Sequence, residues 1–188
     1  INPMINKNEF EAIRKDLVRL EELRETTIKI SRLIINLSKQ IIHNLHKNEV
    51  NEAEKLILEI KKHVKELPKT QNLNLGINFD AVQEYVEALG YYYIIKHNRL
   101  PTRKELNVDT VEYLSGLCDL TGELIRRITN SLINDDLKEA LKIKNFISWI
   151  YNEFIHLDIH HGDLRKKSDM LRWNLEKAED ILLRAKGR

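Results

Sequence analysis

Four carboxylates are spaced so that they could bind a metal ion together. Glu84 and Glu87 are three residues apart, and Asp119 and Glu123 are four residues apart. On a helix, residues three or four apart lie about one turn from each other on the same face. Each pair therefore forms one acidic helix face, and two such faces could meet in one pocket.

An acidic pocket of this kind needs a counter-charge. Carboxylates that converge in a partly buried place repel one another, so either a divalent cation or raised pKa values are expected. Oxygen-only ligands favour hard ions such as Mg²⁺ or Mn²⁺. Neither pair has the Glu-x-x-His spacing of di-iron bundles, and no histidine lies one helical turn along the chain from these acids. The spacing therefore argues against iron chemistry.

The same spacing also fits two solvated faces of amphipathic helices, which are common in soluble proteins. The segment around Asp119 points the other way, because it holds Gly116 and Gly122. Each glycine destabilises a helix by about 1 kcal/mol relative to alanine, which suggests close packing or a ligand. The pattern alone leaves both interpretations open.

The composition predicts one all-helical domain over residues 1–188. Hydrophobic residues make up 42% of the chain, and it has only 6 Gly and 3 Pro. The formal net charge of +2 does not commit the whole molecule to nucleic acid. A single cysteine, Cys118, excludes an intrachain disulfide and is expected to pack in the core. Without a long apolar run or a signal peptide, we expect a cytoplasmic protein that does not contact membranes.

Apolar periodicity predicts an antiparallel bundle of six to seven helices with a very long first helix. That helix has more apolar circumference than a surface helix needs, with Ile28, Leu33, Ile35 and Ile42 on a second side. The excess predicts burial between subunits or a thicker monomer core. The expected helices cover residues 6–47, 52–67, 80–96, 103–106, 110–131, 135–154 and 164–185, with a loop at 69–78.

Basic and aromatic residues near the acidic helices are candidates for contacts with nucleic acid. Three consecutive tyrosines, Tyr91 to Tyr93, could stack on bases, although helical spacing places at least two of them in the core. Arg165, Lys166 and Lys167 are expected to be solvated or interfacial, and His160 and His161 to lie in a loop rather than at a metal. The candidate phosphate contacts are Lys96, His97, Arg99, Arg103, Lys104, Arg126 and Arg127, which also fit an ordinary polar surface.

Four stretches of the chain resemble the translin family in order and spacing. They are ETTIKISRLIINLSKQIIHNLHK, FDAVQEYVEALGYYYIIKHNRLPTRKEL, VEYLSGLCDLTGELIRRITNSL and LRKKSDMLRWNLEKAEDIL. Some family members bind Mg²⁺ through acidic residues and cleave single-stranded RNA, whereas others mainly supply the RNA-binding surface. The acids of the catalytic members match Glu84, Glu87, Asp119 and Glu123, although the last stretch is closer to the RNA-binding members.

The resemblance implies a metal-dependent endoribonuclease that assembles as a hollow homo-oligomer, expected to be an octamer, with its acids facing the cavity. It implies Mg²⁺ or Mn²⁺ as the cofactor and single-stranded RNA, with single-stranded DNA as a further ligand. Glu84, Glu87 and Asp119 would be metal ligands, and Glu123 a ligand or the base that orients water. The alternatives are a non-catalytic oligomer that binds single-stranded nucleic acid and a purely structural oligomer.

Overall fold

Seven α-helices and no strand make up the parts of the chain that the computed structural model describes, residues 6–68, 76–160 and 162–187. This confirms the all-helical prediction and the very long first helix. The helices are α1 (Lys7–His46), α2 (Val50–Glu66), α3 (Gly76–His97), α4 (Arg103–Leu106), α5 (Thr110–Ile133), α6 (Leu137–Ile155) and α7 (Gly162–Lys186).

Helix α1 is 40 residues long and contributes to the core only in its second half. The Asn6 side chain accepts hydrogen bonds from the backbone N–H groups of Asn8 and Glu9, at 3.1 and 3.3 Å, which caps the start of the helix. Neither Gly nor Pro interrupts it. Its first buried residue is Thr27, so the preceding turns extend beyond the core of the subunit.

Helix α3 occupies the centre of the packing. It lies between α1 and α5, while α2 packs on α1 and α3, and α6 and α7 pack on α5 and on each other. One apolar core contains side chains from all seven helices. Because neighbours cover most of its circumference, α3 is buried on nearly every side, including Gln83 and Tyr91.

Four helix starts differ from the prediction by two residues or more, and the first of them is α2, which begins at Val50 rather than at residue 52. Helix α3 begins at Gly76 rather than at residue 80, so the end of the predicted loop is helical, and residues 69–75 lie outside the described part. Helix α6 begins at Leu137, because Asp135 adopts a left-handed conformation with φ of 57° and the Asp136 side chain caps the N–H of Glu139. Helix α7 begins at Gly162, two residues earlier than predicted.

Large apolar side chains remain exposed on the single subunit. In the first half of α1, Phe10, Leu17 and Val18 are 52%, 59% and 61% exposed. On α6 and α7, Trp149 and Trp173 are 58% and 72% exposed. A thicker monomer core accounts for Ile42, which is buried, but not for these exposed side chains. None of the helices in the described ranges is long and apolar enough to cross a membrane.

Candidate functional site

The two predicted acid pairs lie on facing helices of the core rather than on solvated surfaces. Glu84 and Glu87 are half-buried on α3, with Tyr85, Val86 and Ala88 fully enclosed around them. Asp119 and Glu123 are also half-buried on α5, which packs against α3 and α7. All four acids are thus partly removed from solvent, which argues against two fully solvated faces.

A close approach of α3 and α5 brings the two pairs together. A Cβ atom added at Gly116 would lie 2.6 Å from Cβ of Val86 and 2.8 Å from the carbonyl oxygen of Gln83. Only glycine permits this separation without a backbone shift. The close packing expected from the glycine-containing segment is confirmed at Gly116. Gly122 has nothing within 4 Å of such a Cβ and instead leaves open space beside Asp119.

The protonation of Glu87 shows how strongly the acids interact. Burial, followed by the charges of Glu84, Asp119 and Glu123, raises the pKa of Glu87 from 4.5 to about 8. Burial is also the largest cause of the raised pKa of Glu84, and Asp119 adds to it. The four carboxylates therefore act on one another electrostatically, which is one of the two arrangements that the spacing left open.

Asp119 has a cation of its own, which the sequence did not reveal. The ammonium group of Lys167, from α7, donates hydrogen bonds to Oδ2 of Asp119 and, at 2.7 Å, to Oε1 of Gln83. Lys167 was predicted to be solvated or interfacial; its side chain is only partly solvated, at 29% exposed, because α7 packs across α5. Lys166 is solvated, as predicted, and its side chain is 81% exposed.

Glu123 is held by a histidine from the end of α1. Nε2 of His46 lies 2.5 Å from Oε2 of Glu123, and the hydroxyl of Tyr91 lies 3.1 Å from Nδ1. Since a carboxylate only accepts hydrogen bonds, Nε2 carries the hydrogen. This hydrogen bond is the main cause of the lowered pKa of Glu123. The His46 side chain is only 5% exposed, so its orientation is fixed.

The donor chemistry of the cluster suits a hard divalent cation, but the side chains do not surround a single point. Carboxylate oxygens are the ligands that Mg²⁺ and Mn²⁺ prefer, and the mutual repulsion of Glu84, Glu87 and Asp119 would be relieved by such an ion. Within the described residues, no group of three His, Cys, Asp or Glu side chains is close enough to hold a metal. Binding of a cation by three of these acids therefore requires their side chains to rearrange, and Oδ2 of Asp119 is already bonded to Lys167.

The predicted phosphate contacts at the end of α3 and just after it are mostly engaged within the subunit. Lys96 pairs with Glu54. Arg99 donates to both carboxylate oxygens of Glu105, at 2.6 and 3.0 Å. The ring of His97 packs against those of Tyr92 and Tyr93, and Arg103 donates to the hydroxyl of Thr110 at 2.7 Å, whereas Lys104 is exposed.

Beside Glu123, the two arginines differ. The Arg126 side chain is 60% exposed and lies 3.8 Å from Glu123. Arg127 is largely buried and donates to Oδ1 of Asn48 at 2.7 Å, which ties α5 to the end of α1. Arg126 is therefore available to a ligand, whereas Arg127 stabilises the fold around the site.

Other residues considered from the sequence have structural roles. Tyr91 and Cys118 are buried, which confirms their predicted place in the core. Tyr92 and Tyr93 are half-buried and pack against that core. His160 is exposed and pairs with Asp158 at 3.0 Å, while His161 lies outside the described residues.

A helical bundle with a very long first helix and a half-buried acidic cluster between its third and fifth helices matches one known class of proteins. The model of the Translin family covers residues 22–186. An uncharacterised protein of Methanocaldococcus jannaschii is 31% identical over 86% of this chain and 75% of its own length. The translin-associated protein X homologue of Schizosaccharomyces pombe is 25% identical over 93% of this chain and 86% of its own.

Solved structures agree with the sequence relatives. Apo-NeC3PO superimposes with a TM-score of 0.90 at 29% identity, covering 98% of this chain and all of that one. AfC3PO in complex with duplex RNA superimposes with a TM-score of 0.85 at 28% identity, covering 95% and 96%. The chain belongs to the translin family.

Proposed function

We propose that this protein is a metal-dependent endoribonuclease that cuts single-stranded RNA. The acidic cluster carries the proposal: two acid pairs from different helices meet in a half-buried place, where the pKa of Glu87 rises to about 8. Such a grouping destabilises the fold unless a cation or a proton joins it, and perturbed carboxylates of this kind concentrate at functional sites.

In the proposed site, Glu84, Glu87 and Asp119 hold Mg²⁺ or Mn²⁺, and Glu123 completes the ligands or orients the attacking water. A bound cation would supply an activated water and stabilise the departing ribose oxygen. Glu123 suits the acceptor role, because His46 fixes its orientation and lowers its pKa. Glu87 must lose its proton to act as a ligand, so cation binding and proton release are coupled.

RNA is the proposed substrate because of the family and because the AfC3PO structure contains duplex RNA. Lys104 and Arg126 are exposed and can contact phosphates directly. The exposed apolar side chains of α1, α6 and α7 support a homo-oligomer, proposed to be a hollow octamer that encloses the acids. Lys96, Arg99 and Arg103 can contribute only if they exchange their present partners for phosphate.

One observation favours a second candidate, a non-catalytic binder of single-stranded RNA or DNA. Lys167 and His46 already satisfy Asp119 and Glu123, and no three acids within the described residues surround one point. If that pairing persists with RNA bound, the protein would bind nucleic acid without cutting it.

Cleavage of labelled single-stranded RNA separates the two functions. We expect cleavage with Mg²⁺, none with EDTA, and at least a hundredfold loss in a Glu84→Ala/Glu87→Ala variant, because two ligands are removed. The matched control is Glu11→Ala/Glu21→Ala, which removes the same charge from the exposed part of α1. Light scattering must show the same oligomer for all three proteins.

The products add a second criterion. Water activated at a cation leaves 3′-hydroxyl ends, whereas attack by the ribose 2′-hydroxyl leaves 2′,3′-cyclic phosphates. Cyclic phosphates, or full activity of the Glu84/Glu87 variant, would reject the site. RNA binding without cleavage under every condition would favour the second candidate, and a parallel assay with single-stranded DNA defines the range of ligands.

A further inference from the structure

Lys167 makes a direct contact with the acidic cluster. Its ammonium group contacts Asp119 and Gln83, and its charge also acts on Glu84 and Glu87. The other cations near the cluster have different positions: Lys39 acts on Glu84 through its charge, and Arg126 lies beside Glu123. Lys167 is therefore the cation that bonds directly to Asp119, one of the proposed metal ligands.

Two surface grooves meet at this lysine. One groove lies between the start of α7, the start of α5 and α3, and is lined by Phe79, Gln83, Ser115 and Lys167. The other is lined by Asp119, Gly122, Met170 and again Lys167. Lys167 thus lies between the two grooves. A ligand in the second groove would meet Asp119 beside its ion pair with Lys167.

We propose that Lys167 is the resident counter-cation of the site, and that a divalent ion binds by displacing its ammonium group from Asp119. The lysine then determines the affinity for the metal, and the displaced ammonium group becomes free to face the grooves. This inference rests on the proposed function and identifies a further residue that regulates the same site.

The geometry supports displacement rather than a permanent link. The side chains of Lys167 and Asp119 are 29% and 38% exposed, so solvent and ions can reach the pair. A lysine carries its charge on a flexible four-carbon stem, which can swing away without moving α7. A divalent ion carries twice the charge of the ammonium group and is attracted by each of the neighbouring carboxylates, whereas the ammonium group bonds to Asp119 alone among the four acids.

Mn²⁺ binding without RNA tests the proposal directly. Electron paramagnetic resonance measures free Mn²⁺ during titration of the parent, Lys167→Met, Lys167→Arg and Lys166→Met. Lys166 is the matched control, because it is the adjacent lysine and its ammonium group pairs with Asp163, whose side chain is 90% exposed. We expect Lys167→Met to bind Mn²⁺ about fivefold more tightly, the scale of a partly exposed ion pair.

The arginine variant keeps the charge and gives a second measurement if the methionine variant does not fold. Its planar group can donate two hydrogen bonds to Asp119, so it should weaken Mn²⁺ binding at least about twofold. Lys166→Met should match the parent. Thermal unfolding provides a separate measure: the rise in Tm on adding Mg²⁺ should be larger for Lys167→Met than for the parent.

Unchanged or weaker Mn²⁺ binding by Lys167→Met overturns the proposal and leaves Lys167 as a structural link between α7 and the core. Unchanged binding by Lys167→Arg does the same. If the parent itself binds no Mn²⁺, and Glu84→Ala/Glu87→Ala behaves identically, the proposed function fails instead. The two failures are thus distinguished within one titration series.

Discussion

Glu87 lies on α3 and Glu123 on α5, two helices that pack against each other, yet the surroundings shift the pKa values of the two carboxyls in opposite directions. Burial and three neighbouring acids raise the pKa of Glu87 to about 8, whereas the hydrogen bond from His46 lowers that of Glu123. Carboxylates whose pKa values diverge in one site commonly divide the roles of acid and base. Glu123 is therefore the residue that stays ionised at neutral pH and can accept a hydrogen bond from water.

Replacing His46 tests this division. In His46→Asn, the donor to Glu123 is lost, so we expect kcat for RNA cleavage to fall about tenfold while KM changes little. His46→Gln places an amide N–H nearer the position of Nε2 and should restore part of the activity. His43→Asn, on the exposed side of the same turn, is the control. Equal loss in the Asn and Gln variants would contradict a positioning role.

Replacing Glu87 tests the raised pKa through stability. The folded protein holds the Glu87 proton up to about pH 8, whereas the unfolded chain releases it near its ordinary value of 4.5. This group therefore lowers the stability as pH rises between those values, because the folded state binds more protons there. Glu87→Gln mimics the protonated form and should raise Tm by a few degrees above pH 8 in EDTA.

Thermal unfolding across this pH range, with exposed Glu11→Gln as the control, measures the effect. The advantage of Glu87→Gln should shrink towards acidic pH, where Glu87 is protonated in both states. A constant advantage over the whole range would indicate better packing rather than relief of charge repulsion.

The acids could be predicted from the sequence, but their partners could not. Spacings of three and four residues are a local property of one helix, so the face shared by Glu84 and Glu87 was predictable. His46 and Lys167 reach the cluster from α1 and α7, through contacts that depend on how the helices pack. The one local signal for His46 was its place directly after Leu45 on the buried end of α1.

At the scale of helices, two glycines of α5 have opposite functions. In Gly116→Ala, the new methyl group would meet Val86 and the backbone of α3, so we expect a loss of about 1–3 kcal/mol in the free energy of unfolding. In Gly122→Ala, the methyl group meets nothing within 4 Å, and helix propensity should stabilise the protein by about 1 kcal/mol.

Urea unfolding of the two variants measures the expected loss and the expected gain in the free energy of unfolding. Gly116→Ala should also weaken Mn²⁺ binding, because separating α3 from α5 moves Glu84 and Glu87 away from Asp119. A stable Gly116→Ala variant with unchanged Mn²⁺ affinity would show that the close approach of these helices does not build the site.

The helices themselves followed from apolar periodicity, whereas the first residues of several of them did not. The start of α6 depends on a left-handed Asp135 and on the cap from Asp136, and neither changes the apolar pattern. The start of α3 at Gly76 could not be predicted from the sequence either, since Gly and Asn are typical of loops as well as of helix ends. Helix caps and left-handed residues depend on a few local hydrogen bonds, and the apolar periodicity carries no information about these.

For the whole molecule, the exposed apolar stripe of α1 predicts assembly. Leu17→Asp places a charge among Phe10, Ile13 and Val18, which are all exposed on the single subunit. If subunits bury this stripe, the variant should dissociate into smaller species by light scattering, because burying an unpaired charge is strongly unfavourable. Arg19→Asp, on the opposite face by helical periodicity, should assemble normally. An unchanged oligomer in Leu17→Asp would remove α1 from the interface.

The length of α1 also fixes the angle about the helix axis between its exposed apolar stripe and His46. The stripe at Phe10 and the site residue His46 belong to one uninterrupted helix, separated along its axis by about 54 Å at 1.5 Å per residue. One residue inserted between Leu20 and Thr27 would turn the stripe by about 100° relative to His46, whereas seven would restore the alignment to within about 20°. The orientation of each acidic site within an assembly is therefore set by the number of residues in a segment that touches neither.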